Sequence, residues 1–234
     1  MQASMVAVRS TDGDGLPSWA AVQVSDAEAD GARGSGQIEV RILRGAELRD
    51  AAGAAARALQ DDPATVASYG DDPLVRLTHT YGLFLELFER TVAPQHGALC
   101  GGCVLAVAGV LPPGTCVGAL MAPYVESTLA RADPPLGDPL RPMKLWATWA
   151  AHDLQEEHWH IGPVGVEPGY QGMGIGRAVM EALCLDLDDH GQVGWLETNK
   201  ERNVGFYSAL GFELVDEAVA LGVPSWFMRR EPAS

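Results

Sequence analysis

The run Gln171-Gly172-Met173-Gly174-Ile175-Gly176 constrains this 234-residue chain more than any other segment. It follows an apolar stretch, His158 to Val166, that ends in Glu167-Pro168-Gly169. It precedes apolar residues at helical spacing, Ile175, Val179, Met180, Leu183 and Leu187, with Arg177, Glu181 and Asp186 left for water. A strand, a glycine turn and a helix in that order aim free backbone N–H groups, and the positive end of the helix dipole, at one point. That geometry suits a bulky anion such as a pyrophosphate. Side chains at the glycine positions would hold the phosphate off the backbone or forbid the φ values of a tight turn.

Spacing sorts the phosphate-binding possibilities. A P-loop requires Lys-Ser or Lys-Thr after its last glycine, and here Gly176 is followed by Arg177-Ala178. A dinucleotide fingerprint requires Gly-x-Gly-x-x-Gly early in a βαβ unit, whereas this turn is Gly-x-Gly-x-Gly and stands three-quarters of the way along the chain. A glycine-rich turn with no ligand is the plain alternative.

The chain continues through a short strand, Val193 to Thr198, into Asn203-Val204-Gly205-Phe206-Tyr207-Ser208-Ala209-Leu210-Gly211-Phe212. Asn203 reads as an N-cap, Phe206 and Leu210 share a helix face, and Gly211 is placed to end the helix. The Gln-x-x-Gly-x-Gly turn and this Asn…Phe-Tyr…Gly-Phe segment, shortened by one residue between Asn203 and Phe206, resemble the signature of the GNAT superfamily of acyl-CoA-dependent N-acyltransferases. Within it, residues 38 to 230 are similar to puromycin N-acetyltransferase-like proteins through Asp61-Asp62-Pro63-Ala64-Thr65, Val164-Gly165-Val166, Leu196-Glu197-Thr198 and Pro224-Ser225-Trp226-Phe227-Met228.

The resemblance implies a mixed α/β (α+β) GNAT fold: a central, mostly antiparallel mixed sheet flanked by helices. It implies acetyl-CoA as co-substrate, with no metal, and direct transfer of acetyl to a primary amine of a small molecule in a ternary complex. On this reading Gln171, Gly172, Met173, Gly174, Gly176 and Arg177 hold the pyrophosphate. Val164, Gly165 and Val166 pair with pantetheine, and a backbone N–H there stabilises the oxyanion. Asn203 binds the coenzyme arm as well as capping its helix, and Tyr207 protonates the departing thiolate. A non-catalytic acyl-CoA-binding module and a protein N-acetyltransferase are the alternatives, and the family also offers a homodimer through the last strands.

The general base is the open question. His158 and His160 alternate onto one face of their strand, and His160 is a candidate base because imidazole titrates near neutrality. A histidine with a purely structural role explains it equally well, and the puromycin-type relatives carry an aromatic residue at this position. Two histidines without a third ligand make a weak metal site, so no metal is expected.

Charge separates the classes of partner. With 16 Lys and Arg against 31 Asp and Glu the net charge is −15, and no basic cluster exceeds Arg229-Arg230, which excludes nucleic-acid binding and favours a cationic amine. The 47% hydrophobic content supports one domain over residues 37–232, preceded by a flexible Gly/Ala/Ser/Asp-rich arm over 1–36. No apolar run approaches membrane-spanning length, and Met1 to Asp14 carries Arg9 as its one basic residue, so no membrane segment, no export and a cytoplasmic location are expected. Cys100-Gly101-Gly102-Cys103 has half the spacing of a metal site, but the four cysteines read as small buried residues, reduced and unpaired.

Periodicity predicts a strand over Gln37–Ile42, a helix over Ala46–Gln60, a loop from Asp61 to Asp72 and a helix over Leu74–Val92 carrying Leu77, Tyr81, Phe84, Leu85 and Phe88 on one face. A hairpin of Ala98–Ala108 with Cys116–Met121 turns at Pro112-Pro113-Gly114. A connection then runs from Met121 to Pro142, a helix over Met143–Glu156 brings Trp146 and Trp149 over the acceptor site, and a strand near Trp226–Arg229 completes the sheet.

Overall fold

The computed structural model describes residues 9–11, 17–19, 37–127, 138 and 140–233. The expected arm lies outside the described residues except for two short strands, β1 (Arg9–Thr11) and β2 (Pro17–Trp19), which pair antiparallel. The rest follows in order: β3 (Ile38–Ile42), α1 (Glu47–Leu59), α2 (Pro63–Tyr69), α3 (Pro73–Arg90), β4 (His96–Cys100), β5 (Cys103–Leu111), α4 (Val117–Ser127), α5 (Arg141–Ala151), β6 (Trp159–Val166), α6 (Ile175–Asp189), β7 (Gly194–Thr198), α7 (Glu201–Ser208), β8 (Glu213–Ala220) and β9 (Val223–Arg230). Strands β3 to β9 form one sheet in the order β3-β4-β5-β6-β7-β9-β8. Every pairing in it is antiparallel except β6 with β7. The mixed, mostly antiparallel sheet flanked by helices is the fold the resemblance implied.

Residue choice explains how close the layers come. The alanines of α1, Ala51, Ala52, Ala54, Ala55 and Ala56, are wholly buried, and small side chains let that helix lie directly on β5 and β6. A Cβ on Gly165 of β6 would sit 3.1 Å from Ala55 Cα and 3.0 Å from Ala58 Cβ. On the other face α6 packs Val179, Met180, Leu183 and Leu187 into the main core with Ile161, Leu196 and Phe212. Gly211, at φ 89°, ends α7 with Phe212 N donating to Tyr207 O and Gly211 N to Ser208 O, the closed C-terminal turn that glycine permits.

Five expectations are corrected. The Asp61–Asp72 loop contains α2, started by Asp62, which accepts from Ala64 N, with Pro63 in the first turn; Asp72 and Pro73 start α3 the same way. The hairpin turns at Gly101-Gly102, both at positive φ (55° and 82°), so β4 and β5 flank that pair. Cys116–Met121 accordingly is not a strand: Val117–Ser127 is helical, and residues 128–137 of the expected connection lie outside the described residues. Finally, β9 is inserted between β7 and β8, and β8, unanticipated, forms the edge. Of the cysteines only Cys184 is buried; Cys100 is half-buried and Cys103 and Cys116 are exposed.

Candidate functional site

Two irregularities at β6 create the site. Between Ala108 and Val110 strand β5 advances two residues while its partner moves three, from Val164 to Ile161, so β6 bulges at Gly162-Pro163. On its other side β6 pairs with β7 at Trp159↔Gly194 and His160↔Trp195, and the two strands then part. From Ile161 to Val166 the β7-facing edge of β6 has no strand partner among the described residues, leaving backbone groups available to an extended ligand. Val164, Gly165 and Val166 lie along this edge.

Past the end of β6 stands the glycine turn. Gly172 and Gly174 have φ of 77° and 80°, conformations that favour glycine. Gly174 is the N-cap of α6 and makes no side-chain cap bond, and the first turn holds no acidic residue, so the positive helix end is open to an anion. A Cβ on Gly176 would lie 2.9 Å from Val166 Cγ2, so glycine lets the helix start pack on the strand end. The Gln171 side chain turns back and donates through Nε2 to Val166 O at 3.0 Å, fixing the turn against β6. Met173 is exposed at the tip, and Arg177 pairs with Glu181 at 2.7 Å on the helix surface.

At the mouth of the split is a pocket of about 180 Å³ lined by residues of α1 to α5, β6, β7 and α7. Its walls are apolar and aromatic, including Tyr69, Phe84, Trp146 and Trp149; its polar groups include His160, Glu197, Asn203 and Tyr207. Trp146 and Trp149 stand on α5, as expected from their helix. Asn203 does not cap its helix: α7 starts at Glu201 with Lys200 as N-cap, and Asn203 N donates to Lys200 O. Its amide instead donates through Nδ2 to Thr198 Oγ1 at 3.0 Å, tying α7 to the end of β7 beside the pocket.

Tyr207 is buried and meets Phe206 and Phe212 edge-on. Burial first, then the charges of Glu197 and Asp62, push its phenol well above the ordinary value, so it stays protonated at neutral pH. His160 Nε2 lies 2.8 Å from Glu197 Oε2. The contact becomes an ion pair when the ring is protonated. Burial favours the neutral imidazole, but the Glu197 carboxylate and then Asp153 outweigh it, and the His160 pKa is raised. His158, below His160 on the strand, has Nε2 2.9 Å from Asp153 Oδ1 and Nδ1 2.8 Å from Glu156 O.

Sequence reasoning placed Tyr207, His160, Asn203 and Val164 separately, and the fold brings all four to one pocket. It gave Glu197 no role beyond its place in Leu196-Glu197-Thr198. Alternation along β7 was the available signal, because Leu196 and Thr198 are buried and Glu197 points the other way, toward His160. Asp153, from the turn after α5, carries no such signal.

The acetyltransferase (GNAT) family model matches residues 79–212. Serotonin N-acetyltransferase 2, chloroplastic, of Oryza sativa subsp. japonica is 46% identical over 59 residues, a stretch that is 25% of this chain and 30% of that protein. Two solved structures share the fold. A histone acetyltransferase HPA2 and related acetyltransferase from Corynebacterium glutamicum superimposes with a TM-score of 0.57 at 17% identity, over 83% of this chain and 96% of that one. The Drosophila melanogaster polyamine N acetyltransferase, described as forming N-acetylagmatine, has a TM-score of 0.57 at 14% identity, over 83% and 99%.

Proposed function

The chain belongs to the acetyltransferase (GNAT) family, and on that premise we propose that it transfers acetyl from acetyl-CoA directly to the primary amine of a small molecule with an apolar body. The observation that carries this reading is the convergence of Tyr207 and the His160–Glu197 pair on one pocket at the split between β6 and β7. The amides of the glycine turn and the start of α6 hold the pyrophosphate, and the free edge of β6 at Val164–Val166 aligns the pantetheine arm.

Each residue then has a defined task. The carboxylate of Glu197 keeps His160 basic, and His160 accepts the proton that the amine loses as its nitrogen bonds to the thioester carbonyl carbon. A backbone N–H on the free edge of β6 stabilises the oxyanion. As the C–S bond breaks, Tyr207 gives its phenolic proton to the thiolate. No covalent acyl-enzyme is needed. The aromatic walls and few carboxylates suit a single ammonium on a bulky apolar or aromatic frame better than a chain of several cations. Two of the named relatives are a serotonin and a polyamine N-acetyltransferase, and the puromycin-type motifs add amine-bearing antibiotics to the classes worth testing. Four cysteines without a disulfide among the described residues suit a reducing compartment such as the cytoplasm.

The test is release of free CoA thiol from acetyl-CoA against arylalkylamines, agmatine-type polyamines and aminonucleoside antibiotics. Turnover of the apolar monoamines, reduced about 10²-fold or more in Glu197→Gln, is expected. Turnover confined to the polyamines, or equal in both proteins, contradicts the assignment.

A further inference from the structure

We propose that Asp153, His158 and His160 bind a divalent transition-metal ion, Zn2+ by ligand type, and that the ion inhibits acetyl transfer by engaging the imidazole of His160. The sequence offers two histidines on one face of β6, and the fold supplies the third ligand, Asp153, from the turn between α5 and β6. One ligand atom from each lies within 4.8 Å of the others. Tetrahedral zinc with bonds of about 2.0–2.1 Å sets its ligand atoms roughly 3.3 Å apart, so small side-chain shifts would bring the three ligand atoms onto one ion.

The tautomer of His158 is the most telling detail. Its Nδ1 lies 2.8 Å from Glu156 O, a group that can only accept, so Nδ1 carries the N–H. In the neutral ring the lone pair of Nε2 therefore faces Asp153 Oδ1 at 2.9 Å. Two acceptors hold that separation only with a positive centre shared between them, either a proton or a metal ion. A ligating histidine anchored through its other nitrogen to a backbone carbonyl is the arrangement that metal sites use to orient the ring. Beside the cluster a void of about 20 Å³, bordered by Cys116, Trp146, Asp153 and His160, has room for one water as fourth ligand. Two imidazoles, one carboxylate and a water form a donor set that suits zinc.

Binding at this site stands independently of the proposed reaction; the inhibitory half rests on His160 accepting the amine proton. The test titrates the whole, chelator-treated chain with ZnCl2 by calorimetry. One ion per chain is expected, bound about tenfold or more weakly by Asp153→Ala and by His158→Ala, and equally well by His190→Ala and Cys103→Ser. Co2+ added to the wild type gives a folding-independent readout: a tetrahedral absorption spectrum with no thiolate charge-transfer band is expected. Failure of the wild type to bind one ion, equal affinity in both ligand variants, or a thiolate signature overturns the site and leaves the acetyltransferase reading untouched. Product formation, followed by chromatography, should fall as the site fills and return on addition of a chelator. Full occupancy with undiminished turnover overturns the inhibition and removes His160 from the proton path.

Discussion

Replacing Tyr207 with Phe separates chemistry from stability, because the proposed role needs only the hydroxyl while the packing needs only the ring. The ring is buried and packs on Phe206 and Phe212, contacts that phenylalanine keeps. Tyr207 lines the pocket, and no hydrogen bond of its hydroxyl is seen among the described residues. Removing a buried hydroxyl without a partner leaves nothing unsatisfied, so the unfolding free energy should move by less than about 0.5 kcal/mol or rise slightly. Losing a positioned general acid slows the step by about 10²- to 10⁴-fold, equivalent to roughly 2.7–5.5 kcal/mol on the barrier. The assay is thiol release at saturating acetyl-CoA and amine, with urea unfolding and calorimetric acetyl-CoA affinity measured on the same preparations. A large drop in kcat with unchanged affinity and stability is expected. A kcat within about threefold of wild type refutes the argument that Tyr207 supplies the proton. The outcome also discriminates against a non-catalytic coenzyme-binding module, which has no turnover to lose.

Two further predictions address the frame of the site. Gly109→Ala should lower stability by about 1–3 kcal/mol, because the new Cβ would lie 2.8 Å from Gly162 O, 2.9 Å from Pro163 Cδ and 3.0 Å from Phe88 Cε1. A lower urea midpoint at constant slope is the expected readout, and an unchanged midpoint would show that the β6 bulge yields freely. His96 is fully buried, has neither ring nitrogen hydrogen-bonded, and faces Asp186 of α6 at 3.6 Å. Burial lowers its pKa despite the opposing pull of Asp186. The unfolded chain then takes up a proton below about pH 6.5 that the folded one resists, so His96 stabilises the fold above that pH and withdraws the contribution as pH falls. The stability difference between wild type and His96→Phe should therefore shift against the wild type between about pH 7.5 and about pH 5.5; parallel curves would contradict it.

The C-terminal half of the fold was legible because its signals are local. Gly172 and Gly174 mark positive φ, the 3.6-residue apolar period marks α6, and Gly211 marks the end of α7. Legibility failed where local cues compete or where contact is distant in sequence. Gly101-Gly102 and Pro112-Pro113-Gly114 both propose a turn, and only the first is flanked by strands that pair. Asn203 looks like a cap by residue type, yet the helix starts two residues earlier and its side chain serves the junction with β7. The insertion of β9 between β7 and β8 pairs β9 with a strand more than twenty residues earlier, which no local pattern encodes. The same distance hides part of the chemistry, since Glu197 meets His160 across a parallel pairing, while Asp153 meets the nearby His158 through the shape of an irregular turn.

The central claim, that the turn from Gln171 to Gly176 holds the pyrophosphate of acetyl-CoA, is tested most directly by calorimetric titration of the wild type and of Met173→Glu. Met173 is 43% exposed at the tip. It introduces a carboxylate without the backbone strain that any side chain would suffer at Gly174, where φ is 80°. Micromolar binding by the wild type, about tenfold or more weaker in the variant at an unchanged melting temperature, is the predicted result. Absence of binding by the wild type, or equal affinity in both proteins, would contradict the account.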